Sequence, residues 1–155
     1  MRVRLAGDQT TKLAAALVRA GRREIGGQLF GEQLAPSDFM VTELTIQARP
    51  GTISRFFVDL MQAARNAIRF FDRTDHRYTR YNYIGEWHSH PSYAVQPSGV
   101  DVGTMRALVG DPQFVGSFAV LMIVRIDDDC LTAGAWLFDP RGTESVITLE
   151  LQNDG

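Results

Sequence analysis

Cysteine, lysine and histidine are all scarce in this chain. Among its 155 residues there is one cysteine, Cys130, and three histidines, and Lys12 is the only lysine. A lone cysteine excludes an internal disulfide framework and fits a reducing cytoplasm. Sixteen Lys and Arg residues stand against eighteen Asp and Glu, for a net charge of −2 and a pI of about 5.9. Bulk basic character is therefore missing, and with it the electrostatic footprint of a nucleic-acid binder. There is no run of about 18 apolar residues and no apolar N-terminal segment, so the expectation is a soluble, cytoplasmic chain with no membrane partner. Internal repeats and low-complexity linkers are also lacking. The shortage of histidine makes one fact stand out: two of the three, His88 and His90, sit two residues apart.

With 45% apolar residues the chain can bury a substantial core, and its length suits a single domain over residues 1–155. A short strand is expected at Arg2 to Leu5. Thr10 to Ala20 reads as a helix, with Leu13, Ala16, Leu17 and Ala20 at helical spacing and Gly21 as its stop. Strands follow at Ile25 to Glu32 and Phe39 to Ile46. Pro-Gly punctuation marks Ala48 to Phe57 as a loop, and Val58 to Phe71 reads as a second helix. Gly116 to Ile126 and Cys130 to Phe138 form an expected hairpin of buried strands, turning at Asp127-Asp128-Asp129. Thr143 to Leu151 alternates as a last strand. The whole is a mixed α/β arrangement, a curved mixed sheet flanked by helices.

The chemistry concentrates in Gly85-Glu86-Trp87-His88-Ser89-His90-Pro91 and the following Ser98 to Asp101. Arg80 to Ile84 reads as the body of a strand. If it runs on to His90, the two imidazoles share one face, until Pro91 ends the ladder. Ser98 is a candidate helix N-cap with Asp101 at the third helical position. His88, His90 and Asp101 can then converge at element ends, and two nitrogens with one oxygen make a catalytic-type zinc set with one position open. A plain capping box between Ser98 and Asp101 is the structural alternative. Two carboxylates compete as general base: Glu24 upstream, and Glu86, which shares the strand face of His88.

Taken together, Glu24, then His88-Ser89-His90, seven residues, Ser98, two residues and Asp101 resemble the motif of the JAMM (JAB/MPN) zinc metalloproteases. Glu24-x-Gly26-Gly27-x-Leu29-x-Gly31 is similar to the segment that carries their general acid/base. The resemblance implies a cytidine-deaminase-like JAB/MPN fold, Zn2+ held by His88, His90 and Asp101, Glu24 as the catalytic acid/base in preference to Glu86, and Ser98 as an oxyanion donor. It further implies a zinc-dependent isopeptidase or peptidase that cuts after the C-terminal glycine of a ubiquitin-like protein or its conjugates. The chain looks like the compact prokaryotic branch, whose members are associated with bacterial ubiquitin-like conjugation systems, including antiviral ones, and with sulfur-carrier processing. A processing peptidase for a ubiquitin-like or sulfur-carrier precursor and a non-catalytic MPN-like scaffold are the alternatives. Ala48 to Phe57 is the candidate wall of a substrate groove.

Other features have simpler readings. Ser89 should point away from the metal and support it from behind, and Trp87 should be core. Arg65, Arg69, Arg73, Arg77 and Arg80 read as a solvated face, His76 as exposed. The three aspartates at 127–129 lack the alternating spacing of a calcium loop. Cys130 is expected to be a buried strand residue.

Overall fold

The computed structural model describes residues 1–47, 69–77, 80–114 and 116–155. The expected loop from Ala48 to Phe57 and most of the helix expected over Val58 to Phe71 fall outside them; residues 69–73 are helical.

Seven strands are described: β1 (Arg2–Leu5), β2 (Gly26–Ala35), β3 (Asp38–Leu44), β4 (Tyr81–Ser89), β5 (Ala119–Asp127), β6 (Cys130–Phe138) and β7 (Glu144–Leu151). Helix α1 (Gly7–Ala20) follows β1, and helix α2 (Gly99–Gly110) lies between β4 and β5. Within the described residues the expected strands and the two flanking helices are present, and the sheet is mixed and curved. It closes into a barrel in the order β1-β3-β2-β4-β5-β6-β7. The short β1 makes the closure: it runs parallel to β3 on one side, Leu5 beside Val41, and parallel to β7 on the other, Leu5 beside Leu151. Closure removes the two free edges that an open sheet would expose.

The strand pattern explains where the cores sit. Val3 and Leu5 of β1 are fully buried while their neighbours are not. Along β5 every residue from Ala119 to Val124 is buried, because both faces are covered. Val120, Met122 and Val124 join Trp87, Leu29, Val41 and the α1 residues Leu13 and Leu17 in one core. Ala119, Leu121 and Ile123 face the other way and pack with Met105 and Val109 of α2. Helix α1 thus seals one core and α2 the other.

Local chemistry sets the element ends. Gly21 stops α1 in the left-handed region, at φ 60°. The only lysine, Lys12, donates from Nζ to the Leu44 carbonyl at 2.6 Å, and Gln9 Oε1 accepts from the Leu44 amide, so α1 ties off the end of β3. Asp128 and Asp129 both have positive φ in the β5–β6 turn, as a tight hairpin requires. Cys130 corrects an expectation: it is exposed, because it opens β6 opposite Asp127 at the hairpin tip and not within the core. The arginines at 73 and 80 are more than a solvated face. Arg73 pairs with Glu43 and Arg80 with Glu32, which fastens the segment before β4 to β2 and β3. Among the described residues no helix is long and apolar enough to cross a membrane.

Candidate metal centre

Strand register decides what β4 presents. In the parallel β4–β5 pair, Trp87 lies beside Met122 and His88 beside Ile123. Trp87 therefore enters the α1-side core, where its Nε1 donates to the Thr45 carbonyl at 2.8 Å. His88 turns to the face that α2 covers. The strand ends at Ser89, yet the His90 amide still donates to the Val124 carbonyl at 2.9 Å. That bond keeps the chain extended far enough for His90 to share the face of His88.

Helix α2 supplies the third side chain. Ser98 is its N-cap: its Oγ accepts from the Asp101 amide at 3.1 Å, and the Ser98 amide donates to Asp101 Oδ2 at 2.7 Å. The two structural alternatives of the sequence are thus one object. The capping box fixes the Asp101 carboxylate at the helix start, and that start lies at the end of β4.

The result is a compact donor set. His88 Nε2 is 3.1 Å from His90 Nε2 and 3.3 Å from Asp101 Oδ1, and His90 Nε2 is 3.3 Å from Asp101 Oδ2. Donors about 2.0–2.1 Å from a zinc ion at tetrahedral angles would be about 3.3 Å apart. The three residues are buried, at 1–3% exposure. The backbone also selects the correct nitrogen: His90 Nδ1 lies 2.8 Å from the Ala94 carbonyl, which directs the Nε2 lone pair toward the cluster. At Asp101 burial is the largest single influence and pushes the pKa up, but hydrogen bonds from His88 and the Ser98 amide outweigh it, leaving it at about 2. A buried carboxylate whose pKa is pushed down, beside two imidazoles, is a donor set that fits a divalent cation.

Glu24 precedes β2 and is half-buried. Its neighbour Ile25 is locked to the metal strand: the Ile25 amide donates to Ser89 Oγ at 3.0 Å, and the Ser89 amide donates to the Ile25 carbonyl at 2.9 Å. Ser89 thus supports the site from behind, as its alternation suggested. Glu24 itself accepts a hydrogen bond from the Tyr93 hydroxyl, and the Tyr93 ring lies on His90 with centroids 4.3 Å apart. Tyr93 is the functional candidate that sequence reasoning missed; the only available signal was an aromatic residue in an otherwise small and polar loop.

Glu86 has a different setting. It lines a cavity of about 550 Å³ together with Gln28, Arg80, Tyr83 and Phe114, and the histidines and Asp101 are not among the lining residues. Burial pushes its pKa up to about 8, against the lowering effect of bonds from Tyr83 (2.7 Å) and Gln28. Glu86 thus faces a cavity whose lining does not include the three candidate ligands.

The paired glycines also have their reason. Gly26 and Gly27 sit opposite His88 and Trp87 in the β2–β4 register. A Cβ on Gly27 would lie 1.9 Å from the Thr45 carbonyl oxygen. Gly27 thus marks a close backbone approach; the β2 irregularities lie further on, at Leu29/Phe30, Phe30/Gly31 and Gln33/Ala35.

Comparison with known proteins agrees with this architecture. Residues 8–138 match the family of prokaryotic homologs of the JAB domain. The solution structure of a protein from Desulfitobacterium hafniense superposes with a TM-score of 0.66 at 18% identity, covering 98% of this chain and 94% of that one. A protein from Salinibacter ruber gives 0.57 at 18% identity, covering 97% and 92%. At that identity the likeness shows a shared fold. No curated protein matches the chain.

Proposed function

The chain belongs to the family of prokaryotic JAB-domain homologs, and from that premise we propose that it is a zinc-dependent peptidase or isopeptidase, cutting after the C-terminal glycine of a ubiquitin-like protein in a bacterial conjugation system. The observation that carries the reading is the buried His88–His90–Asp101 set, with Glu24 joined to it through Tyr93. Its lone cysteine suits work in the cytoplasm, and the finer relationship to cytidine-deaminase-like folds is part of the same reading.

In this reading His88, His90 and Asp101 hold zinc. Held there, zinc would supply Lewis-acid activation of water near neutral pH. Glu24 takes the proton of the attacking water and returns it to the leaving amine. Ser98 already accepts the Asp101 amide at Oγ, which leaves its O–H free to donate to the developing oxyanion. A glycine tail is the substrate proposed because glycine lets a backbone approach closely where a Cβ would be in the way.

The test is purified, tag-free protein with zinc measured directly, assayed on matched ubiquitin-like fusions, on isopeptide conjugates and on the isolated tail peptide. Zinc near one per chain, cleavage after the terminal glycine, and at least 10²-fold less turnover in Glu24→Gln with zinc retained are the expected results. Equal rates on fusion and short peptide, or indifference to the glycine, would leave a general zinc peptidase. Zinc without any Glu24-dependent cleavage would leave a scaffold.

A further inference from the structure

We propose that Tyr93 is a positioning residue of this site: a strut that fastens the Glu24 carboxylate to the ligand His90 and so holds the base at a set distance from the metal. The inference rests on the peptidase reading above.

Tyr93 is held at three points. Its ring packs on His90, tilted by 31° with centroids 4.3 Å apart. Its hydroxyl donates to Glu24 Oε1. Its own carbonyl accepts from Arg125 Nη1 at 3.2 Å, and the next carbonyl, that of Ala94, meets His90 Nδ1 at 2.8 Å. The loop between β4 and α2 is therefore built around His90, and Tyr93 carries its influence across to Glu24. The arrangement answers a need of the chemistry. Glu24 lies before β2 begins, so its side chain is not held by a strand. A general base must stay within hydrogen-bond reach of its proton, and a misplacement of about 1 Å can cost roughly 10²-fold in rate. Tyrosine suits the task because two torsions carry a long, stiff side chain. Although Tyr93 is 44% exposed, it is tied at both ends and is not a free apolar surface.

The hydroxyl and the ring can be tested separately. The probes are zinc, a metal chelator, and a ubiquitin-like protein carrying a C-terminal aminocoumarin amide. Tyr93→Phe keeps the ring on His90 and removes the hydroxyl. It should hold zinc against the chelator as the parent does, leave KM within about 2-fold, and lower kcat by roughly 10- to 100-fold. Tyr93→Leu removes the ring as well and should release zinc about 10-fold faster. Because the hydroxyl acts through Glu24, Tyr93→Phe should change nothing further in a Glu24→Ala background. Parent kcat in Tyr93→Phe would overturn the proposal. So would an equal loss in both backgrounds, which would mean that the hydroxyl meets the substrate itself. If the zinc-loaded parent cleaves nothing, the peptidase reading fails, and a urea-unfolding cycle of Glu24→Ala with Tyr93→Phe then decides the strut. Coupled effects uphold it and additive effects overturn it.

Discussion

Replacing Gly27 by alanine should loosen the joint that holds the metal strand. The new Cβ would sit 1.9 Å from the Thr45 carbonyl oxygen, whereas ordinary contact begins at 3.4 Å, so strand and carbonyl must part by roughly 1.5 Å. That carbonyl is not free to retreat. It accepts the Trp87 indole at 2.8 Å, and the same residue bonds Gln28 twice, Thr45 Oγ1 to the Gln28 amide at 2.9 Å and the Thr45 amide to the Gln28 carbonyl at 3.0 Å. Overpacking of this kind costs about 1–3 kcal/mol, and one or two broken hydrogen bonds add about 1 kcal/mol each. The expected total is about 2–5 kcal/mol, or a fall in Tm of roughly 5–15 °C for a chain of this size. Thermal unfolding by circular dichroism measures the first quantity. Trp87 emission in a Trp136→Phe background follows the indole bond and should shift to the red. Gly103→Ala is the control: it lies within α2, a Cβ there meets nothing within 4 Å, and it should raise stability by about 0.5–1 kcal/mol. An unchanged Tm in Gly27→Ala, with Trp87 emission as in the parent, would refute the close approach.

Three further outcomes are expected. Ser98→Ala removes the cap of α2 and should lose about 1 kcal/mol of stability in urea unfolding, while kcat falls roughly 10²- to 10³-fold if the hydroxyl meets the oxyanion; stability loss with full kcat would confine Ser98 to capping. The doubly substituted His88→Ala, His90→Ala protein should contain no zinc by elemental analysis, and full zinc there would dismiss the assigned ligands. Glu86→Gln should stabilise metal-free protein increasingly as pH rises. The folded carboxyl has a pKa near 8 against 4.5 for the free group, so between those values the unfolded chain ionises while the folded one retains its proton. Stability conferred by the protonated form is present below 4.5 and is lost as pH climbs through 8, with a difference of a few kcal/mol that glutamine removes. Equal pH profiles for parent and variant would show that Glu86 ionises freely.

Much of this molecule could be read from local pattern. The period of α1 and the alternation of β7 are written in adjacent residues, because burial of one face needs only the right spacing. The spacing of His88, His90 and Asp101 could be read as a candidate ligand set for the same reason: a strand end and a helix start capped by Ser98 each determine their own side-chain directions. What local pattern could not contain was which strands meet. Nothing in Arg2–Leu5 announces that β1 will lie between β3 and β7 and close a barrel, since pairing partners are chosen by the packing of the whole. The β4–β5 register, which sets His88 under α2 and Trp87 in the opposite core, is likewise a long-range choice. So are the exposure of Cys130 at a hairpin tip and the upward push that burial gives the Glu86 pKa. Glu24 stood out in the sequence only through the resemblance of its segment to a known motif, and its place could not be read there. Its link to His90 runs through Ser89, which clamps Ile25, and through Tyr93 in the loop after β4. Contacts between residues 64 and 69 positions apart leave no periodic trace, because they depend on where folding brings two distant segments and not on the order of neighbours.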